Sequence, residues 1–187
     1  MAELSGQGPV IFSGATSIVD VNSATVPAPY KLGMHGFDVD GNEYVYVDFQ
    51  QALLAGEWVV FNQSYAATRI TGASTSASLM GWVGVVIGTV SASDRAGWVQ
   101  VRGIHTAAWA TSDATTNGIP VVYATTDQGG ISTAATSGQG TVLYGVHICT
   151  DPDTCASTAL STSATLAPCT VMLNYPFITG DKLDPTT

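Results

Sequence analysis

Residues 79–105, LMGWVGVVIGTVSASDRAGWVQVRGIH, limit the fold more than any other stretch of the chain. Leu79 to Val90 is the most hydrophobic run, and it is rich in β-branched residues. Ser91 to Gly97 is a cluster of turn formers. Trp98 to His105 then alternates Val99 and Val101 with Gln100 and Arg102. That alternation sends successive side chains to opposite faces of a sheet. The stretch predicts two neighbouring strands joined by an exposed loop, in the manner of a long hairpin. The first run does not alternate cleanly, which predicts a strand covered on both faces. Its glycines, Gly81, Gly84 and Gly88, would weaken a helix but allow close backbone approach within a sheet.

The clearest turn lies in residues 36–49, GFDVDGNEYVYVDF. Asp40-Gly41 or Gly41-Asn42 supplies residues that tolerate positive φ, and Tyr44, Tyr46 and Asp48 then alternate with Val45, Val47 and Phe49. Asp38, Asp40 and Asn42 open this segment like a calcium loop. An EF-hand loop needs Gly at its sixth position and Glu at its twelfth, where this chain has Glu43 and Phe49, so a turn is the better reading. Gln50 to Leu54 is the one tempting helical piece, and Gly56 stops it. Further strands are predicted at Glu57 to Phe61, Tyr65 to Ile70, Ile119 to Thr125, Thr141 to Cys149 and Thr170 to Ile178. Thr71 to Ser78, Thr126 to Gly140 and Asp151 to Pro168 read as polar loops, and Thr106 to Asn117 shows no helical period.

With about eight to ten short strands and almost no helix, the expected class is all-β, a β-sandwich or a small β-barrel. The expected organisation is an extended N-terminal arm over residues 1–35, a β domain over 36–180 and a frayed tail over 181–187. In the arm, Gly6, Gly8, Pro9, Gly14, Pro27 and Pro29 punctuate short apolar pieces. It reads either as an ordinary N-terminal strand and loop or as an arm laid across a partner subunit.

Charged residues are only 10% of the 187-residue chain, against roughly a quarter in ordinary globular proteins. Net charge is −9 with five Lys and Arg in all. Nucleic-acid binding through phosphate neutralisation needs clustered cations and is not expected. An anionic membrane surface is disfavoured for the same reason. The longest apolar run is about 12 residues, short of the ~20 that span a bilayer. MAELSGQGPV has neither the basic nor the apolar segment of a secretory signal, so synthesis in a cytosol is expected.

Chemistry-bearing residues are sparse. Cys149, Cys155 and Cys169 are an odd set, which argues against a disulfide framework. Cys149 and Cys155 flank a DPDT turn and could pair in an oxidising compartment. A zinc site of His147 with the three cysteines has no usual ligand spacing. His35, His105 and His147 lie in or beside predicted strands, and no serine occupies a G-x-S-x-G elbow. Asp38, Asp40, Glu43, Asp48, Glu57, Asp94, Asp113, Asp127, Asp151 and Asp153 stand mostly in turn-like contexts, where Asp bonds its own backbone. Gly81, Gly84 and Gly88 do not open a helix and so make no dinucleotide fingerprint. Trp58, Trp82, Trp98 and Trp109 could line a carbohydrate platform, but core or subunit-interface roles fit their strand contexts better. No catalytic, cofactor-binding or metal-binding residue is assigned, and a structural or binding module is expected rather than an enzyme.

DGNEYVYVDFQQALLAGEWVVF resembles an opening seen in small virion proteins of tailed bacteriophages, a "DG-x-E-[YF]-x-YV" hairpin followed by an Ala-rich turn and a short "G-x-x-V" strand. GWVGVVIGTVSASDRAGWVQVRG, IPVVYATTDQGGIST and TVMLNYPFI follow in a similar order, so that the likeness spans roughly residues 36–178. The resemblance is to capsid decoration, or cement, proteins. It implies a β-rich, often trimeric protein that binds the outside of a shell of major capsid protein and reinforces it against the pressure of packaged DNA. It implies no catalytic residue, and it places the protein on the virion exterior after synthesis in a bacterial cytoplasm. The alternative is a receptor- or glycan-binding virion module, a head fibre or tail-associated β protein. A polysaccharide hydrolase would need two close carboxylates in a cleft.

Overall fold

The computed structural model describes residues 10–11, 19–20, 28–70, 81–111, 119–122, 129–134, 141–150 and 166–182. These form twelve strands and no helix. In chain order they are β1 (Val10–Ile11), β2 (Val19–Asp20), β3 (His35–Phe37), β4 (Glu43–Phe49), β5 (Trp58–Phe61), β6 (Ala66–Arg69), β7 (Gly81–Val86), β8 (Arg95–Thr111), β9 (Ile119–Val122), β10 (Ser132–Ala134), β11 (Thr141–Ile148) and β12 (Leu166–Lys182). The all-β expectation holds.

The pairing order closes on itself. β4 pairs β6, β6 pairs β5, β5 pairs β7, β7 pairs β8, and β8 returns to β4. A sheet closed this way has no edge to protect. Its interior is one apolar cluster: Val45, Val47 and Phe49 from β4, Val59 and Phe61 from β5, Val86 from β7, and Val99 and Val101 from β8. Tyr44 and Tyr46 alternate onto the outer face of β4, where they meet Trp98 under Ala28, Tyr30 and Met34. The alternation in YVYVDF thus divides that strand between two cores.

A second layer packs on this small barrel. β8 continues past the barrel, and its C-terminal half pairs β12, which pairs β11. Trp58 and Val60 of β5 and Val83 and Val85 of β7 point away from the barrel interior. They pack on Ala108, Ala110, Leu143, Val171, Leu173 and Ile178. β5 and the end of β7 are therefore buried on both faces, which is why the Leu79 to Val90 run lacks alternation.

Several local expectations change. The strand in Leu79 to Val90 stops at Val86; Val90 instead makes an isolated bridge to Leu53. Gln50 to Leu54 is an irregular turn, ended by Gly56 at φ 89°. A side chain on Gly56 would overlap the Ala107 carbonyl and the Trp109 ring. Thr106 to Thr111, which shows no helical period, is strand because β12 pairs it from Leu166 onward. In the arm, Val10–Ile11 runs parallel to β3 and Val19–Asp20 pairs β8 of the same chain. Thr71 to Ser78, most of Asp151 to Pro168 and the tail beyond Lys182 lie outside the described residues.

Candidate functional site

The second layer buries one face and shows the other to water. Strand register fixes what that outer face carries. Met172 of β12 stands opposite Ile104 of β8 on one side and His147 of β11 on the other. Phe177 of β12 stands between Tyr144 of β11 and Trp82 of β7. Directly opposed residues share a face and touch, and the Tyr144 and Phe177 rings stack with centroids 5.1 Å apart. Ile104 is 57% exposed, Met172 and Trp82 48%, Phe177 41% and Tyr144 40%. Two rows of large apolar side chains, separated along β12 by Asn174 and Tyr175, therefore lie exposed on this face. Scattered exposed apolar residues are ordinary; a contiguous set marks an interaction surface.

One corner of this face is built by a bulge. β11 and β12 shift register between Tyr144 and Val146, where Gly145 takes φ 74°. Opposite it, Tyr175 takes φ 50°, a left-handed conformation uncommon for a bulky residue. A bulge re-aims the side chain it carries. Here the Tyr175 hydroxyl donates to Glu43 Oε2 at 2.5 Å, across 132 residues of sequence. The other carboxylate oxygen, Oε1, lies 2.5 Å from His35 Nδ1. Glu43 is buried at 5% exposure, so the two partners satisfy carboxyl oxygens that burial would otherwise leave unpaired. The bond to Glu43 pushes the Tyr175 phenol above its ordinary value, and burial adds to it; the Arg102 guanidinium offsets part of the rise.

Two cavities flank Trp82. The first, about 310 Å³, lies among His35, Tyr65, Trp82, Tyr175 and the barrel-end residues Val45, Phe61 and Val101. The second, about 680 Å³, is an open cleft between the β5–β6 turn, Asn62-Gln63-Ser64, and Trp82 with Phe177. Phe61 and Trp82 line both.

The sequence candidates fall into place as follows. Asp38 is a turn residue. Its Oδ1 accepts the backbone N–H groups of Asp40 and Asn42, and its Oδ2 accepts Asn42 Nδ2 and the Tyr44 hydroxyl. Burial alone would raise its carboxyl, but the donors from Asn42, Tyr44 and Asp40 prevail and hold it below the usual carboxylate range. Burial pushes the Asp48 carboxyl up, against a bond from Gln50 and with the Asp94 charge adding to it. Glu57 pairs with Arg69 at 3.0 Å and caps the Leu54 N–H. His105 accepts the Ala107 N–H on Nδ1, and burial lowers its imidazole to about 4, so it is neutral at ordinary pH. Trp58 and Trp98 are core, at 0% and 3% exposure. Trp82 lies on the surface.

Cys149 and His147 are exposed and Cys169 is buried, while Cys155, Asp113, Asp127, Asp151 and Asp153 lie outside the described residues. Among the described residues no three metal-ligating side chains gather at one point, and neither cavity beside Trp82 is lined by a carboxylate. No helix among them is long and apolar enough to cross a membrane. The Glu43–Tyr175 contact was invisible to local pattern, although Pro176 inside an apolar run was a signal: a residue with no N–H to give the ladder marks an edge or a bulge.

Comparison with known protein families, with curated proteins and with solved structures finds no match to this chain.

Proposed function

We propose that this chain is a capsid decoration protein, which binds the outer surface of a shell of major capsid protein and reinforces it against internal DNA pressure. The observation that carries this function is the pair of apolar rows, Ile104–Met172 and Tyr144–Phe177, exposed on the outer face of β8, β12 and β11. A preformed sheet loses little conformational freedom on docking, so modest contact area yields useful affinity. Symmetric copies multiply that affinity without new contacts. The order of motifs from residue 36 to 178 supports the same assignment. So does a chain with five Lys and Arg and a net charge of −9, which has little to offer the packaged genome. Decoration requires no catalytic group, cofactor or metal. The protein then acts on the virion exterior, after synthesis in a bacterial cytoplasm, as a homo-oligomer with three copies as the preferred number. Mass measurement of the purified protein in solution, followed by co-sedimentation with isolated capsids, tests it. A stable trimer that pellets with capsids to a saturable stoichiometry supports the proposal. A monomer that stays in the supernatant overturns it.

A further inference from the structure

Trp82 stands at the edge of the docking rows, and its surroundings differ from theirs. It is 48% exposed and lines two cavities that share it with Phe61. Both have an aromatic wall. Tyr65 and Tyr175 complete it in the smaller cavity, and Phe177 in the open cleft. In the open cleft the opposite rim is polar, formed by Asn62, Gln63 and Ser64, and among the described residues no Lys, Arg, Asp or Glu lines either cavity. On the cleft side Asn62 Oδ1 is filled by the Ser64 N–H, the Ser64 hydroxyl and the Ala66 N–H. The Asn62 amide N–H groups, the exposed Gln63 amide and the lone pairs of Ser64 remain as donors and acceptors. On the other side, Glu43 holds His35 through Nδ1 and Tyr175 through its hydroxyl, so both rings are fixed by a carboxylate behind them.

An uncharged rim that both gives and accepts hydrogen bonds, facing flat apolar rings, selects a ligand with apolar faces and hydroxylated edges. Among the described residues of the open cleft an ion meets no opposite charge, and an alkyl chain would leave the amide rim unpaired. The volumes fall in the range of ligand sites, ~300–1,000 Å³. We infer that the Trp82 cleft is a binding site for a neutral saccharide, stacked on Trp82 and held at its edge by Asn62, Gln63 and Ser64. This goes beyond capsid decoration: the cleft shares Phe177 with the docking rows, and its test uses the isolated protein with no capsid present.

The test is an array of immobilised neutral and acidic glycans probed with the labelled full-length protein, with affinities of the hits then measured in solution. Wild-type protein is expected to bind at least one neutral glycan. Trp82→Ala should weaken that binding at least tenfold and Gln63→Ala about threefold, with a folded far-UV circular dichroism spectrum retained by both variants. Ile104→Asp, on the docking rows, should bind the same glycan as wild type. No neutral glycan bound, only acidic glycans bound, or equal binding by Trp82→Ala would each overturn the inference. None of these outcomes bears on capsid docking.

Discussion

Trp58→Ala should be the most damaging conservative-backbone change in the chain. Trp58 is fully buried on β5, on the side that faces the second layer. Its Nε1 donates to the Trp109 carbonyl at 2.9 Å, which ties the barrel to the C-terminal half of β8. Truncation removes an indole from a close-packed site that two layers of sheet cannot easily close, at about 3–5 kcal/mol. For a domain of this size each kcal/mol lowers Tm by about 2–4 °C, so the loss is roughly 6–20 °C. Trp58→Phe separates the components. It keeps an aromatic ring and deletes the donor, and the Trp109 carbonyl still accepts the Ile131 N–H at 3.1 Å. No carbonyl is orphaned, so the cost should be about 1–3 kcal/mol. Urea unfolding followed by far-UV circular dichroism gives both values. A loss below about 1 kcal/mol for Trp58→Ala, with unchanged denaturant slope, would refute the two-layer packing.

Other outcomes follow from single residues. Tyr46 is fully buried and its hydroxyl has no hydrogen-bond partner among the described residues, so Tyr46→Phe should leave Tm unchanged or raise it, by up to about 1 kcal/mol of stability; a clear loss would show that the hydroxyl is satisfied. Gly56→Ala should destabilise by about 2 kcal/mol or more in thermal melts, because φ 89° strains an L-residue and the new methyl meets the Ala107 carbonyl. Asp38 titrates below its unfolded value, so its contribution is complete above pH ~4 and is lost as pH falls through the lower folded pKa. The stability gap between wild type and Asp38→Asn, read from urea midpoints, should therefore be constant near neutrality and narrow below pH ~4; a gap that widens in acid would contradict the hydrogen-bond assignment.

What sequence pattern revealed was whatever local chemistry dictates. The Asp38–Asn42 turn, the two-faced alternation of β4 and the double burial at the end of β7 follow from residues within a few positions of one another. The second half of β8 did not, because Thr106, Ala107, Ala108 and Ala110 carry no period of their own. Pairing with Leu166 to Cys169 and the Trp58–Trp109 bond make them strand, and both are long-range. Glu43 read as one more carboxylate beside a turn; its partner Tyr175 lies at the far end of the chain and reaches it only through a bulge. Trp82 shares its strand and its local pattern with buried valines. Its surroundings are set by long-range pairing, with Phe61 of β5 on one side and Phe177 of β12 on the other.

Capsid binding by a variant with charge placed in the docking rows is the most direct test of the proposed role. Ile104→Asp combined with Met172→Asp changes two exposed side chains that face each other across β8 and β12, so the fold should be retained while the apolar surface is lost. Wild-type protein should co-sediment with isolated capsids to saturation, and the double variant, still folded by far-UV circular dichroism though less stable because its two like charges stand opposite each other, should bind at least tenfold more weakly. Equal binding by the folded double variant, or no saturable binding by wild type, would contradict it.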